Sequence, residues 1–155
     1  MDTSFDRLVI PQSVVEEMLA HARAESPQEC CGILAGIVHD RVGEVRERYP
    51  VRNDLASPIR YATNPRDLLS VSRATRLAGW DWLAVYHSHP TSAAVPSRVD
   101  LAENTYGLSM CHVIVSLADA EPTIRAWWLR ERDFLETKMV ITENRVNNGR
   151  SGVDV

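Results

Sequence analysis

Asp81-Trp82-Leu83-Ala84-Val85-Tyr86-His87-Ser88-His89-Pro90, followed six residues later by Ser97-Arg98-Val99-Asp100, is the stretch around which the rest of the chain organises. Asp81 to Tyr86 is mostly apolar and rich in strand formers, which predicts a short β-strand. If the strand continues into the histidines, His87 and His89 point to one face, because side chains alternate along a strand. Pro96-Ser97-Arg98-Val99-Asp100-Leu101 reads as the start of a helix, which would bring Asp100 back beside the two imidazoles. Two histidines and one aspartate suit zinc. Three protein ligands leave one tetrahedral position for water, the mark of a catalytic rather than a structural site. Ser97-x-x-Asp100 is also a helix-capping signature, and both readings can hold together, since a cap would keep Asp100 rigid in the first turn.

Outward from this stretch, Ser26-Pro27-Gln28-Glu29-Cys30-Cys31-Gly32-Ile33-Leu34-Ala35-Gly36 brings a glutamate to the edge of an apolar run. Taken together, these residues resemble the JAMM (MPN+) zinc metallopeptidases, whose pattern is Glu…His-x-His-x(7)-Ser-x(2)-Asp. His89 and Ser97 enclose seven residues, Ser97 and Asp100 enclose two, and Glu29 matches the upstream glutamate. The wording around Glu29, with Asn53 and Arg60-Tyr61, is most similar to the short bacterial branch that includes the CysO-cysteine peptidase. The resemblance covers roughly residues 8–130.

That resemblance implies an α+β MPN fold, similar to the cytidine deaminases, with a mixed sheet flanked by helices. It implies one Zn2+ per chain on His87, His89 and Asp100. Glu29 then moves the proton as general base and general acid, its pKa raised by desolvation, and Ser97 donates to the developing oxyanion. The expected reaction is hydrolysis of an amide or isopeptide bond at the C-terminal Gly-Gly tail of a ubiquitin-like or sulfur-carrier protein. A tail of that kind could be held by strand addition at a sheet edge, with Asn53 bonding its backbone and Tyr61 walling the cleft as substrate-binding residues. Larger deubiquitinases of the family carry a second insertion, for which the short link between the 98–108 helix and the next strand leaves no room. The alternatives are a non-catalytic MPN scaffold that binds a ubiquitin-like partner, and a cysteine hydrolase using Cys30 or Cys31. A deaminase is disfavoured, because the His-x-Glu…Pro-Cys-x-x-Cys signature is absent.

Composition sets the outer limits. At 155 residues, 45% hydrophobic and 25% charged, the chain is one ordinary globular domain, expected over 1–142 with a disordered tail over 143–155. A net charge of −4 without a basic block argues against nucleic acid as partner. No apolar run spans a bilayer, and Met1 to Asp6 lacks the regions of a signal peptide. Cys30 and Cys31 are adjacent, about 3.8 Å apart at Cα, closer than a disulfide usually spans. A reduced, cytoplasmic protein is expected, with a homodimer left open.

Periodicity and turn residues predict a helix over 11–25, strands over 31–38 and 42–51, a loop over 53–65 and a helix over 65–78 closed by Gly79. The metal strand follows, then a helix over about 98–108 and strands over 112–117, 123–129 and 134–142. Ser88 is expected to serve packing, His112 to be a satisfied core histidine, and His21 and His39 to lie at the surface. Trp127 and Trp128 must face opposite sides of their strand, with a core role expected for both.

Overall fold

The computed structural model describes residues 4–143. The tail expected beyond residue 143 lies outside them. In chain order the elements are β1 (Arg7–Pro11), α1 (Gln12–Glu25), β2 (Cys31–His39), β3 (Val42–Val51), α2 (Pro65–Ala78), β4 (Asp81–His89), α3 (Arg98–Ala102), β5 (Cys111–Ser116), β6 (Thr123–Leu129) and β7 (Phe134–Thr142). The expected α+β class with a mixed sheet holds, but the sheet is not open. Its strands run β1-β3-β2-β4-β5-β6-β7 and β7 returns to β1, closing a seven-stranded barrel. The pairs β1–β3, β4–β5 and β1–β7 are parallel and the other four antiparallel. Closure is incomplete at the edges: β1 pairs with β3 only at Val42, Gly43 and Glu44, so among the described strands the rest of β3 is paired on its β2 side alone.

α1 packs its buried Val14, Val15, Met18 and Ala22 into a core shared with Leu8, Ile10, Leu34, Val45, Leu83, Tyr86, Val113 and Val115. Burying a side chain of this size contributes about 1.5–3 kcal/mol, so this cluster is the main source of cohesion. β2 and β4 lie side by side at its centre. Gly32 permits that approach: a Cβ there would lie 2.2 Å from the Tyr86 ring and 2.6 Å from the Tyr49 carbonyl oxygen.

α2 begins and ends as its sequence predicts. The Asn64 side chain accepts from the Asp67 N–H, Pro65 occupies the first turn, and Gly79 closes the helix with φ of 75°. α3 departs from expectation, since it stops at Ala102 rather than continuing to 108. The reason is local. The Asn104 side chain accepts from Tyr106 N–H at 3.0 Å and donates to the Gly107 carbonyl at 3.1 Å, building a turn that competes with the helix. β1 carried no expectation at all. Among the described residues, no helix is long and apolar enough to cross a membrane.

Candidate active site

β4 delivers His87 and His89 to one face, where their Nε2 atoms lie 3.2 Å apart. α3 returns Asp100 to them, with Oδ1 3.2 Å from His87 Nε2 and Oδ2 3.0 Å from His89 Nε2. All three residues are buried, and one ligand atom from each falls within 4.8 Å of the others. The capping box forms as well. Ser97 Oγ accepts from Asp100 N–H at 3.0 Å, and Ser97 N–H donates to Asp100 Oδ2 at 2.9 Å. Asp100 is therefore held by the same turn that presents it to the histidines.

The ring of His89 has its orientation set from behind. Its Nδ1 lies 2.8 Å from the Ala93 carbonyl oxygen, which can only accept, so Nδ1 carries the proton. In the neutral ring, Nε2 then presents a lone pair toward His87 and Asp100. Burial opposes the charge on Asp100, but hydrogen bonds from His87 and His89 outweigh it and hold the carboxyl well below the usual range. Burial pushes His87 toward its neutral form, while for His89 the bonds to Asp100 and Ala93 overcome burial and favour the charged form. Two imidazole nitrogens 3.2 Å apart and a carboxylate beside both are a donor set that a divalent cation could take in place of the shared protons, and one that suits zinc.

Glu29 stands where the chain enters β2, with only 3% of its surface exposed. Its backbone is held at three points. Glu29 N–H donates to the Ser57 carbonyl at 2.8 Å, its own carbonyl accepts from Asn53 Nδ2 at 3.1 Å, and Cys30 N–H donates to Ser88 Oγ at 2.8 Å. Ser88 thus does more than pack: it ties β4 to the segment that carries the glutamate. Glu29 Oε1 is buried without a hydrogen-bond partner among the described residues. Desolvation is the main cause that pushes its carboxyl up to about 8, with His89 pulling it down and Asp100 raising it further. Those two influences show that its charge is felt at the histidine–aspartate cluster. The Ser97 hydroxyl spends a lone pair on the cap and keeps its hydrogen free to donate.

The two residues expected to touch substrate also have partners within the protein. Asn53 donates to the Glu29 and Arg60 carbonyls and accepts from Leu55 and Ala62 N–H, so its amide is consumed in shaping the loop. Tyr61 stacks on His87, ring centroids 4.5 Å apart and planes at 21°, and so walls the cluster itself. His112 is buried as expected, but it is not satisfied: neither ring nitrogen has a partner among the described residues. His21 is half-buried rather than superficial, its Nδ1 2.7 Å from the Tyr86 hydroxyl. Cys30 and Cys31 are buried free thiols that desolvation drives away from the thiolate, Cys30 to about 11, which removes the basis for a cysteine nucleophile. Trp127 is buried and donates to the Ala94 carbonyl at 2.9 Å, while Trp128 packs on Phe5, so both tryptophans serve the interior.

A narrow cleft lined by Tyr61, Val99, Asp100 and Glu103 opens onto the acidic member of the cluster. Through Tyr61 and Glu103 it joins a cavity of about 300 Å³ between the 55–63 loop and the 103–106 turn. An ion pair between Arg60 and Glu103 bridges these two segments.

Residues 11–130 match the family described as prokaryotic homologs of the JAB domain. A desampylase of Haloferax volcanii is 37% identical over 99 residues, which are 61% of this chain and 70% of that protein. A CysO-cysteine peptidase of Mycobacterium tuberculosis is 39% identical over 95 residues, 61% of this chain and 63% of the relative's length. The solution structure of a protein from Desulfitobacterium hafniense superposes with a TM-score of 0.82 at 31% identity, covering 88% of this chain and 94% of the other.

Proposed function

The chain belongs to the prokaryotic homologs of the JAB domain, and on that premise we propose that it is a zinc-dependent hydrolase of an amide or isopeptide bond, acting at the C-terminal Gly-Gly tail of a ubiquitin-like or sulfur-carrier protein. The observation that carries this reading is the convergence of His87, His89 and Asp100, together with a buried Glu29 whose Oε1 has no partner among the described residues and whose charge is influenced by His89 and Asp100. His87, His89 and Asp100 would hold the zinc ion, which supplies Lewis acidity and a water whose pKa is brought toward neutrality. Glu29 accepts the proton of the attacking water at its carboxylate and returns it to the leaving amine. Its raised pKa suits both directions, since a proton carrier works best when its pKa lies near the working pH. Ser97, with its hydroxyl hydrogen uncommitted, donates to the oxygen on which negative charge develops. The Ala93 carbonyl keeps the His89 ring in the tautomer this site needs.

The substrate tail enters along the cleft between the 55–63 loop and the 103–106 turn. The walls of that cleft would hold the tail on its two sides. A passage this narrow favours glycine, which brings no side chain. The activities for which these relatives are named, desampylase and CysO-cysteine peptidase, support a small carrier protein as the substrate class. The MPN, cytidine-deaminase-like relationship of the barrel and a reducing, cytoplasmic setting for its three buried thiols complete the reading.

The test uses purified protein and two adducts of a small carrier, one ending in Gly-Gly and one in Gly-Val, beside unrelated peptides. Cleavage of the first only, abolished by chelator and restored by zinc, is the expected result. Equal cleavage of all substrates removes the carrier-tail assignment, and chelator-resistant cleavage removes the zinc assignment.

A further inference from the structure

His112 and His87 form a matched pair of buried, unpartnered nitrogens. Histidine at position 112 interrupts an otherwise small and apolar strand, Cys111 to Val115. It is 1% exposed, and both of its ring nitrogens lack hydrogen-bond partners among the described residues. The other buried imidazole nitrogen in that condition is His87 Nδ1. β4 and β5 run parallel with Val85 opposite His112 and His87 opposite Ile114, so the two histidines sit on one face as diagonal neighbours. Such neighbours are separated by roughly 7–8 Å, a spacing that long side chains can span. The rings do not bond each other directly, since none of these nitrogens has a partner among the described residues, and one water between them would bridge the pair.

Their surroundings are shared. Tyr61 stacks on the His87 ring, and Tyr106 meets the His112 ring edge-on with centroids 6.3 Å apart. Tyr61 and Tyr106 both pack on the cluster that includes Val85, between the two histidines in register. Burial keeps His112 neutral, so one of its nitrogens is a bare acceptor, and it lies near enough to His87 and Asp100 to feel their charges. The chemistry is complementary. For His87 Nε2 to offer a lone pair beside His89 and Asp100, the ring proton must sit on Nδ1. That makes Nδ1 a buried donor in need of an acceptor. His89 has the Ala93 carbonyl for this purpose; His87 has no such carbonyl.

We propose that His112 is a positioning residue for the metal ligand His87, accepting its Nδ1 proton through one internal water under the Tyr61–Tyr106 cover. The inference rests on the reading of His87, His89 and Asp100 as zinc ligands. Ligating histidines almost always give their second N–H to such a partner, and loss of the partner typically weakens metal binding ten- to a hundredfold.

Zinc affinity, measured by competition with a chromophoric chelator on the whole protein, tests the proposal without reference to turnover. Wild type should bind one zinc, His112→Leu should bind it ten- to a hundredfold more weakly, and His112→Gln, which keeps an acceptor, should recover most of the loss. Thermal midpoints taken without metal show whether the variants fold. Should His112→Leu fail to fold, nitrogen-resolved NMR of the zinc-loaded wild type decides. A His87 Nδ1 proton shielded from solvent exchange and a neutral His112 support the link, whereas rapid exchange at His87 Nδ1 or a cationic His112 overturns it. Unchanged affinity in a folded His112→Leu protein also overturns it and leaves the zinc site standing. Failure of wild type to bind zinc overturns the site assignment, and this inference with it.

Discussion

At the scale of single residues, the proposed reading gives holding and proton transfer to different side chains. His87, His89 and Asp100 converge on one another, whereas Glu29 has no hydrogen-bond partner for Oε1 and keeps its carboxyl poised by desolvation. Glu29→Gln preserves size and polarity but cannot carry a proton. Zinc content and thermal midpoint should stay at wild-type level while kcat falls by a factor on the order of 10² to 10⁴, the usual contribution of a positioned acid–base group. A turnover close to wild type would assign the proton to another group. Much of this was legible in the sequence, because strand alternation and a capping box are local rules that place His87, His89 and Asp100 from spacing alone. The internal partners of Asn53 and Tyr61 were not legible. Asn53 satisfies loop carbonyls and N–H groups that come together only after the chain folds, and the stacking of Tyr61 on His87 joins residues from separate elements. His112 gave one signal in advance: a polar ring inside an apolar strand, which must find a partner or carry a cost.

Among the elements, β2 bears the tightest constraint. Gly32 faces the Tyr86 ring on β4, and Tyr86 in turn meets His21 and Arg48 through its hydroxyl. Gly32→Ala puts a methyl group where the ring and the Tyr49 carbonyl already stand. The neighbours must shift, and a loss of about 1–3 kcal/mol in unfolding free energy is expected, as for other overpacked cores. Chemical denaturation measures it, and an unchanged midpoint would show that β2 and β4 can part without cost. The boundaries of α2 follow from sequence because Asn64, Pro65 and Gly79 punctuate them. The end of α3 does not, since Leu101 and Leu108 lie at a helical spacing that the Asn104 turn overrides.

For the molecule as a whole, acid sensitivity follows from the interior imidazole on β5. Burial lowers the pKa of His112 from 6.5 to about 3, so the folded state refuses a proton that the unfolded chain accepts below 6.5. Its contribution to stability is complete above pH 6.5 and is lost as pH falls toward 3, at up to about 1.4 kcal/mol per pH unit for one group. Between pH 7 and 5, with chelator present throughout, the thermal midpoint of wild type should fall more steeply than that of His112→Leu. Parallel curves would place the acid sensitivity elsewhere. Barrel closure was beyond the reach of the sequence, because no local rule pairs Arg7–Pro11 with Lys138–Thr142. That pairing carries a consequence for the order of events during synthesis. β1 cannot gain its β7 neighbour until Lys138–Thr142 has left the ribosome, so the histidine–aspartate cluster, complete in sequence by Asp100, waits in an unsealed wall. A contact across some 130 positions also belongs to slow, non-local folding, so the wall that carries the cluster closes after the cluster's own residues have been made.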